Sequence, residues 1–224
     1  MCMAKKVRFK LLKFLFIFNI LTCFTSVLII SSVYRSIIND IEIQNIVNEI
    51  QASSNYVQVE DINEIFLDAI VAIEDHRFYK HGAIDLISIA RATFINIKNK
   101  DIVEGGSTIT QQLVKNLFLN MEQTLERKLN EIFIAFELEK LYSKEEILEL
   151  YVNIVYYGDG FTGIKSACNG YFNKEPKDLS KDEATLLAGL PQAPSAYALN
   201  SNYEKALERQ QQVIEALNNL NITY

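Results

Sequence analysis

Gly105-Gly106-Ser107-Thr108-Ile109-Thr110-Gln111-Gln112-Leu113-Val114-Lys115-Asn116 is the stretch from which the rest of the chain can be read. It is crowded with side-chain hydrogen-bonding groups and carries no charge before Lys115. The two glycines free the backbone ahead of a helix start at Ser107 or Thr108, and open N–H groups at a helix N-terminus attract phosphate oxygens. Gln111 and Lys115 fall on one helix face. Upstream stands Glu74-Asp75-His76-Arg77-Phe78-Tyr79-Lys80-His81-Gly82, two adjacent carboxylates among aromatics and histidines. Downstream, Arg127, Lys128 and Glu131 share a face at three- and four-residue spacings. Taken singly, each has a plainer reading: a solvated salt-bridge face, an exposed acidic helix end, a C-cap at His81 before the stop at Gly82. Polar groups this dense are costly in a core, however, and suit the lining of a site for a polar, anionic substrate.

Around these stretches the pattern is helical. Ile62, Ile65, Phe66, Ala69, Ile70 and Ile73 repeat at helical spacing, and Asp85 can cap a helix whose face is Leu86, Ile89, Ala90, Thr93, Phe94 and Ile97. Thr124 precedes a long helix carrying Leu125, Leu129, Ile132, Phe133, Phe136 and Leu138. Three S-x-x-E capping boxes follow, at Ser143/Glu146, Ser180/Glu183 and Ser201/Glu204. No β-hairpin is expected. The domain is predicted to be mainly α, with short helices and functional loops.

The chain has 224 residues, 49% of them hydrophobic, which is enough for one globular domain with a real core. A net charge of −6 argues against a nucleic-acid partner. Cys2, Cys23 and Cys168 fit neither a zinc site nor a redox pair, and no structural disulfide is expected. Phe14 to Val33 runs 20 residues without a charge. At ~1.5 Å per residue such a helix crosses a ~30 Å hydrocarbon layer. Lys5, Lys6, Arg8, Lys10 and Lys13 flank it, which places the N-terminus in the cytoplasm and the domain on the far side. The expected organisation is a basic tail (1–13), a membrane anchor (14–33), a stalk (34–55) and a catalytic domain (56–224). Two readings compete for the apolar run: a signal peptide cleaved near Ser31-Ser32-Val33, and a lipoprotein signal at Cys23, for which Thr22 is a poor fit.

The ordered set E-D-x-x-F-x-x-H-x-G, G-G-S-T-I-T-Q-Q-L-x-K-N and R-K-x-x-E, followed by Ile147-Leu148-Glu149-Leu150-Tyr151-Val152-Asn153, resembles the peptidoglycan glycosyltransferase (transglycosylase) family. The likeness continues through Tyr157-Gly158, Gly163-Ile164, Ala167, Tyr171-Phe172 and Ala188-Gly189-Leu190-Pro191-Gln192-Ala193-Pro194-Ser195. It implies a lysozyme-like α lobe with a smaller, membrane-facing lobe. The implied reaction polymerises lipid II into β-1,4-linked glycan at the outer face of a bacterial inner membrane, with inversion and release of polyprenyl diphosphate. The implied partners are lipid II, the growing strand, the membrane and other cell-wall synthesis proteins.

By that resemblance Glu74 is the general base, its pKa raised by the like charge of Asp75 and an apolar wall such as Phe78. Glu131 is the second carboxylate, acting at the leaving group by orienting a divalent cation (Mg or Mn) or the basic residues; no organic cofactor is implied. Lys115, Arg127 and Lys128 match phosphate-contacting positions. Ser107, Thr108, Thr110, Gln111, Gln112 and Asn116, with Asp75, Phe78 and His81, complete the implied substrate site. Glu149, Tyr151 and Asn153 read as scaffold. Gln123 and Gln210 stand where members often carry arginine, implying one cation fewer at each place. No Ser-x-x-Lys motif is found, so a monofunctional enzyme is expected. Two other readings are a lysozyme-like enzyme that cleaves glycan and a non-catalytic scaffold for cell-wall assembly.

Overall fold

A computed structural model describes residues 2–39, 42–101, 105–118 and 124–220; in the first helix it describes the side chains of 13–36 and 38. The chain forms two compact units, Met1–Glu42 and Ile43–Tyr224. The first is a single helix, α1 (Cys2–Asn39). Its stretch Lys13–Ser36 contains an 18-residue window with a mean hydropathy of 2.3 and is long and apolar enough to cross a membrane. Its hydroxyls return to the helix backbone: Thr22 Oγ1 donates to the Asn19 carbonyl at 2.9 Å and Ser26 Oγ to that of Thr22 at 2.8 Å. A polar side chain bonded in this way is tolerable in hydrocarbon.

The stretch expected as a stalk, residues 34 to 55, is divided. Its first residues continue α1, and α2 (Ile43–Gln51) belongs to the second unit, where it buries Ile43 and Val47. The segment after it is clamped by α7 (Lys144–Ile154). Tyr56 donates to Glu149 Oε1 at 2.5 Å and the Val59 N–H to Oε2 at 2.7 Å. Asn153 takes both backbone groups of Val57, at 2.9 and 2.8 Å.

Two helical groups make the core of this unit. α3 (Glu64–Glu74) packs against α9 (Lys181–Ala188) and α10 (Tyr203–Asn219); α5 (Ile109–Phe118) packs against α6 (Leu125–Leu141) and α7. Asn63 caps α3 by accepting from Phe66 N–H, and the helix buries Phe66, Ala69, Ile70, Val71 and Ala72. It stops where Asp75 leaves helical geometry at φ −158°, so Glu74 stands on its last turn. Asp85, Thr124, Ser143 and Ser180 cap their helices as the sequence predicts, the last two as full capping boxes. The third expected box does not form. Asn202 holds the N-cap of α10 without a side-chain cap bond, its amide donating instead to the Ser195 carbonyl and Ser201 Oγ.

A hairpin was not expected, yet β1 (Tyr156–Gly158) pairs antiparallel with β2 (Phe161–Thr162), ahead of α8 (Ile164–Phe172). Asp159 and Gly160 turn it with φ of 51° and 87°. An Asp-Gly pair is the signal for such a turn, but strands this short show no alternation to flank it. α4 (Leu86–Asn99) also departs from a core helix: it buries only Ala92, while Leu86, Phe94 and Ile97 are about 70% exposed. Leu125 and Leu129 on α6 are exposed as well.

Gly163 opens α8 at φ 79°, and a Cβ there would collide with the Asn153 carbonyl oxygen. Gly163→Ala should therefore destabilise the second unit by about 3 kcal/mol. Gly82→Ala, which meets open space, should change stability by less than about 0.5 kcal/mol. Urea unfolding of the two variants checks both values.

Candidate active site

A cavity of about 310 Å³ is lined by Ile73 and Glu74 of α3, Gly105 and Ser107, Gln111, Gln112 and Lys115 of α5, Glu131 of α6, Pro191 and Gln192, and Arg209 of α10. The C-terminal end of α3 and the face of α5 thus meet over one pocket, as the sequence suggested for Glu74, Gln112 and Lys115.

Glu74 combines burial with an unpaired carboxylate oxygen. Its side chain is only 8% exposed, and Gln112 Nε2 donates to Oε2 at 2.8 Å. Oε1 is buried without a hydrogen-bond partner; the nearest cation, Arg209 Nη2, is 4.0 Å away. Burial pushes the pKa up and Asp75 adds a small rise, while the Gln112 hydrogen bond and the Arg209 charge pull it down. The expected rise is present, with burial as its first cause and the charge of Asp75 the smallest contribution. Phe78 is not the wall: it is fully buried, with Lys144 Nζ 4.3 Å above its ring, and does not line the cavity.

Glu131 lies opposite, 3% exposed. Its Oε1 accepts from Gln111 Nε2 at 3.0 Å and from Lys128 Nζ. Lys128 also donates to Ser107 Oγ at 3.2 Å, tying the glycine-rich loop to α6. Lys115 is exposed and lines the cavity. Arg127 sits on the first turn of α6, and neither it nor Asn116 is among the lining residues.

Several expected contact residues turn out to be framework. Asp75 is buried, with Oδ1 on His81 Nε2 at 2.8 Å and Oδ2 accepting the Ile109 N–H at 3.1 Å. His81 is accordingly a partner of Asp75 rather than a lining residue. Thr108 and Gln111 exchange bonds in the manner of a capping box, each N–H going to the other's side chain at 3.1 Å. Thr108 Oγ1 donates in turn to the Ala83 carbonyl at 2.8 Å. Thr110 is buried and donates to Glu139 Oε1 at 2.6 Å. The Ile109 and Gln111 N–H groups at the start of α5 are thus taken by Asp75 and Thr108. Gly106 serves close packing: a Cβ there would come within 3.1 Å of Ile89 Cα on α4.

Ile73, Gly105, Pro191, Gln192 and Arg209 line the cavity although the sequence reading left them out of the site, and Arg209 is the charged one among them. It stands next to Gln210 in the sequence, and nothing local says that α10 aims it at α3. Gln212 orients it by accepting from Nη1 at 2.7 Å, and its Nε is buried without a partner. Gln210 instead binds α9, donating to the Asp182 carbonyl and Thr185 Oγ1, both at 2.9 Å, and does not line the cavity. Gln123 lies outside the described residues.

Asp75, His81 and Asp85 bring three ligand atoms within 4.8 Å of one another. They are committed to other groups, Asp85 to Arg77 Nε, Ser88 Oγ and the Ile87 N–H. Glu131 offers one carboxylate whose Oε1 already carries an ammonium, which is not the ligand set of a resident metal.

The profile of a family described as Transglycosylase matches residues 41–218. Penicillin-binding protein 1A of Aquifex aeolicus (strain VF5) is 46% identical over 162 residues, covering 72% of this chain and 22% of that protein. Penicillin-binding protein 1F of Bacillus subtilis (strain 168) is 44% identical over 162 residues, covering 72% of this chain and 23% of that protein. Penicillin-binding protein 1A of Neisseria gonorrhoeae is 44% identical over 159 residues, covering 71% and 20%. The chain therefore spans about a fifth of the length of the curated relatives it matches.

A carboxyl group whose folded pKa is raised favours the fold below its ordinary range, and that contribution is lost as pH rises through the raised value. Glu74→Gln should accordingly stabilise the protein at neutral pH and much less at pH 4. Urea unfolding at the two pH values reads the difference, and equal stabilities at pH 7 would show that Glu74 is not a strained buried charge.

Proposed function

The chain belongs to the transglycosylase family of peptidoglycan glycosyltransferases, and from that premise we propose that it polymerises lipid II into β-1,4-linked glycan with inversion and release of polyprenyl diphosphate. The observation that carries this reading is Glu74 Oε1, a buried carboxylate oxygen without a partner, in one cavity with Lys115, Glu131 and Arg209. A cavity built only to cleave glycan has no need of cations beside its acids.

In this reading Glu74 Oε1 takes the proton from the 4-hydroxyl of the acceptor N-acetylglucosamine. The freed oxygen forms a bond to C1 of N-acetylmuramic acid on the growing strand. The bond from C1 to the diphosphate oxygen breaks on the opposite face, and its electron pair leaves with the lipid diphosphate. A single displacement turns the α anomer into β and calls for no nucleophilic Ser or Cys. Negative charge builds on the leaving diphosphate, and fixed cations stabilise it where it develops. Lys115 and Lys128 act as point charges and Arg209 as a fork. Arg127 supplies positive charge on the first turn of α6. Glu131 keeps Lys128 and Gln111 in place. A divalent cation (Mg or Mn) is proposed to come with the substrate, since Mg²⁺ is commonly held by one or two carboxylates together with phosphate oxygens. The reading requires no organic cofactor.

The apolar stretch of α1 supports a single-pass anchor in a bacterial inner membrane. The basic residues before it support a cytoplasmic N-terminus and a catalytic domain outside, working with other cell-wall synthesis proteins. The exposed Leu86, Phe94 and Ile97 of α4 support a lobe that meets the bilayer, where the lipid end of the substrate stays.

Purified protein should convert labelled lipid II into long glycan, read on gels. Glu74→Gln should lower the rate by about 100-fold or more, the usual share of a general base. Lys115→Ala should lower it by about 10- to 100-fold. Full activity in Glu74→Gln, or soluble muropeptides released from sacculi without consumption of lipid II, would overturn the assignment. Phe94→Glu/Ile97→Glu should cut polymerisation of lipid II in vesicles several-fold while leaving the thermal unfolding of the protein unchanged.

A further inference from the structure

Two hydrogen bonds in series end on the proposed base. Tyr151 of α7 is fully buried and donates to Gln112 Oε1 at 3.0 Å; Gln112 Nε2 donates to Glu74 Oε2 at 2.8 Å. A primary amide can turn about its last bond and exchange its two ends. Only one orientation satisfies this chain of groups. An ionised Glu74 can only accept, so it must meet the NH₂ end. The carbonyl end then faces Tyr151, whose phenol is held protonated by burial and can donate. The reversed amide would set its oxygen against the carboxylate. Tyr157 is equally buried, but its hydroxyl goes to the Val152 carbonyl at 3.2 Å and has no such path to the site.

We propose that Tyr151 is a positioning residue for glycosyl transfer: its hydroxyl fixes the orientation of the Gln112 amide, which holds Glu74 by Oε2 and leaves Oε1 for the sugar hydroxyl. The proposal rests on Glu74 being the base and gives a role to a residue that sequence alone reads as scaffold. The other groups around Glu74 are Arg209 from α10, Asp75 at the end of α3, Lys115 and Glu131 across the cavity, and the Tyr157 phenol. Tyr151→Phe leaves all of them in place and removes one oxygen.

The sign of the effect follows from the Gln112 bond, which lowers the pKa of Glu74. When the amide is free to turn, that bond weakens and the pKa rises. A base works deprotonated, so the acid limb of the pH–rate profile moves to higher pH. In the full-length protein in detergent, ¹³C-carboxyl NMR should show the Glu74 midpoint rising by about one pH unit in Tyr151→Phe. The lipid II rate should fall about tenfold below the limb and recover above it, with KM little changed. Gln112→Leu should produce the same shift, and adding Tyr151→Phe to it should add nothing. Circular dichroism matched to the parent protein excludes loss of the fold as the cause. An unmoved midpoint in a folded Tyr151→Phe protein, or shifts that sum in the double variant, overturns the proposal. Absence of polymerisation by the parent protein counts against the glycosyltransferase reading alone, because the carboxyl titration needs no turnover.

Discussion

The site depends on keeping a carboxylate oxygen buried and without a hydrogen-bond partner at the wall of a cavity. Glu74 Oε1 has no hydrogen-bond partner, and its nearest countercharge stands 4.0 Å off. A buried charge in this state costs free energy unless it neutralises or is paired. Arg209 relieves part of the cost by its charge and Gln112 relieves part by its hydrogen bond, and neither occupies Oε1. The surrounding structure must therefore be rigid enough to stop the side chain from finding a better partner. α3 meets that demand by packing on α9 and α10, and α5 by packing on α6 and α7.

The two ends of the connection from Glu74 to α5 are held by polar groups in the same way. Asp75 places one oxygen on His81 and the other on the first turn of α5, so the acid next to Glu74 locks α3 to the helix that carries Gln112. Thr108 does similar work with Gln111 and Ala83. On the far side Thr110 and Lys144 both reach Glu139, at 2.6 Å each, joining α5 to α6 and α7. Only Ser107, Gln111, Gln112 and Lys115 of the stretch from Ser107 to Lys115 line the cavity. The remaining polar residues fix where those four point.

This explains what could and could not be read in advance. Caps at Asp85, Thr124, Ser143 and Ser180 were legible because a cap involves residues two or three positions apart. The Asp159-Gly160 hairpin was missed because its strands are too short to alternate. The helical period of α4 was legible, but an apolar stripe does not say whether it faces a protein core or lipid, and its large side chains lie exposed. The motif residues announced their chemistry and not their direction. Whether Thr110 points at a sugar or at Glu139 depends on the placement of α6, where Glu139 stands 29 residues further along the chain, and such tertiary placement leaves no local mark. Arg209 went unassigned for the same reason.

The arrangement of positive charge also changes the meaning of the glutamine at position 210. A chain with glutamine where relatives often carry arginine reads as one cation short. Yet Gln210 is spent on the Asp182 carbonyl and Thr185, fastening α10 to α9, while the residue beside it, Arg209, enters the cavity. Adjacent positions on a helix point about 100° apart, so a side chain at 210 is directed to α9 by the same geometry that directs 209 to Glu74. A neutral residue at 210 therefore removes little field from the cavity, and it satisfies a carbonyl on the helix that α3 packs against. Lys115 and Arg209 line the cavity, Lys128 stands beside it on Glu131, and the bonds of Gln210 fasten the helix that carries Arg209.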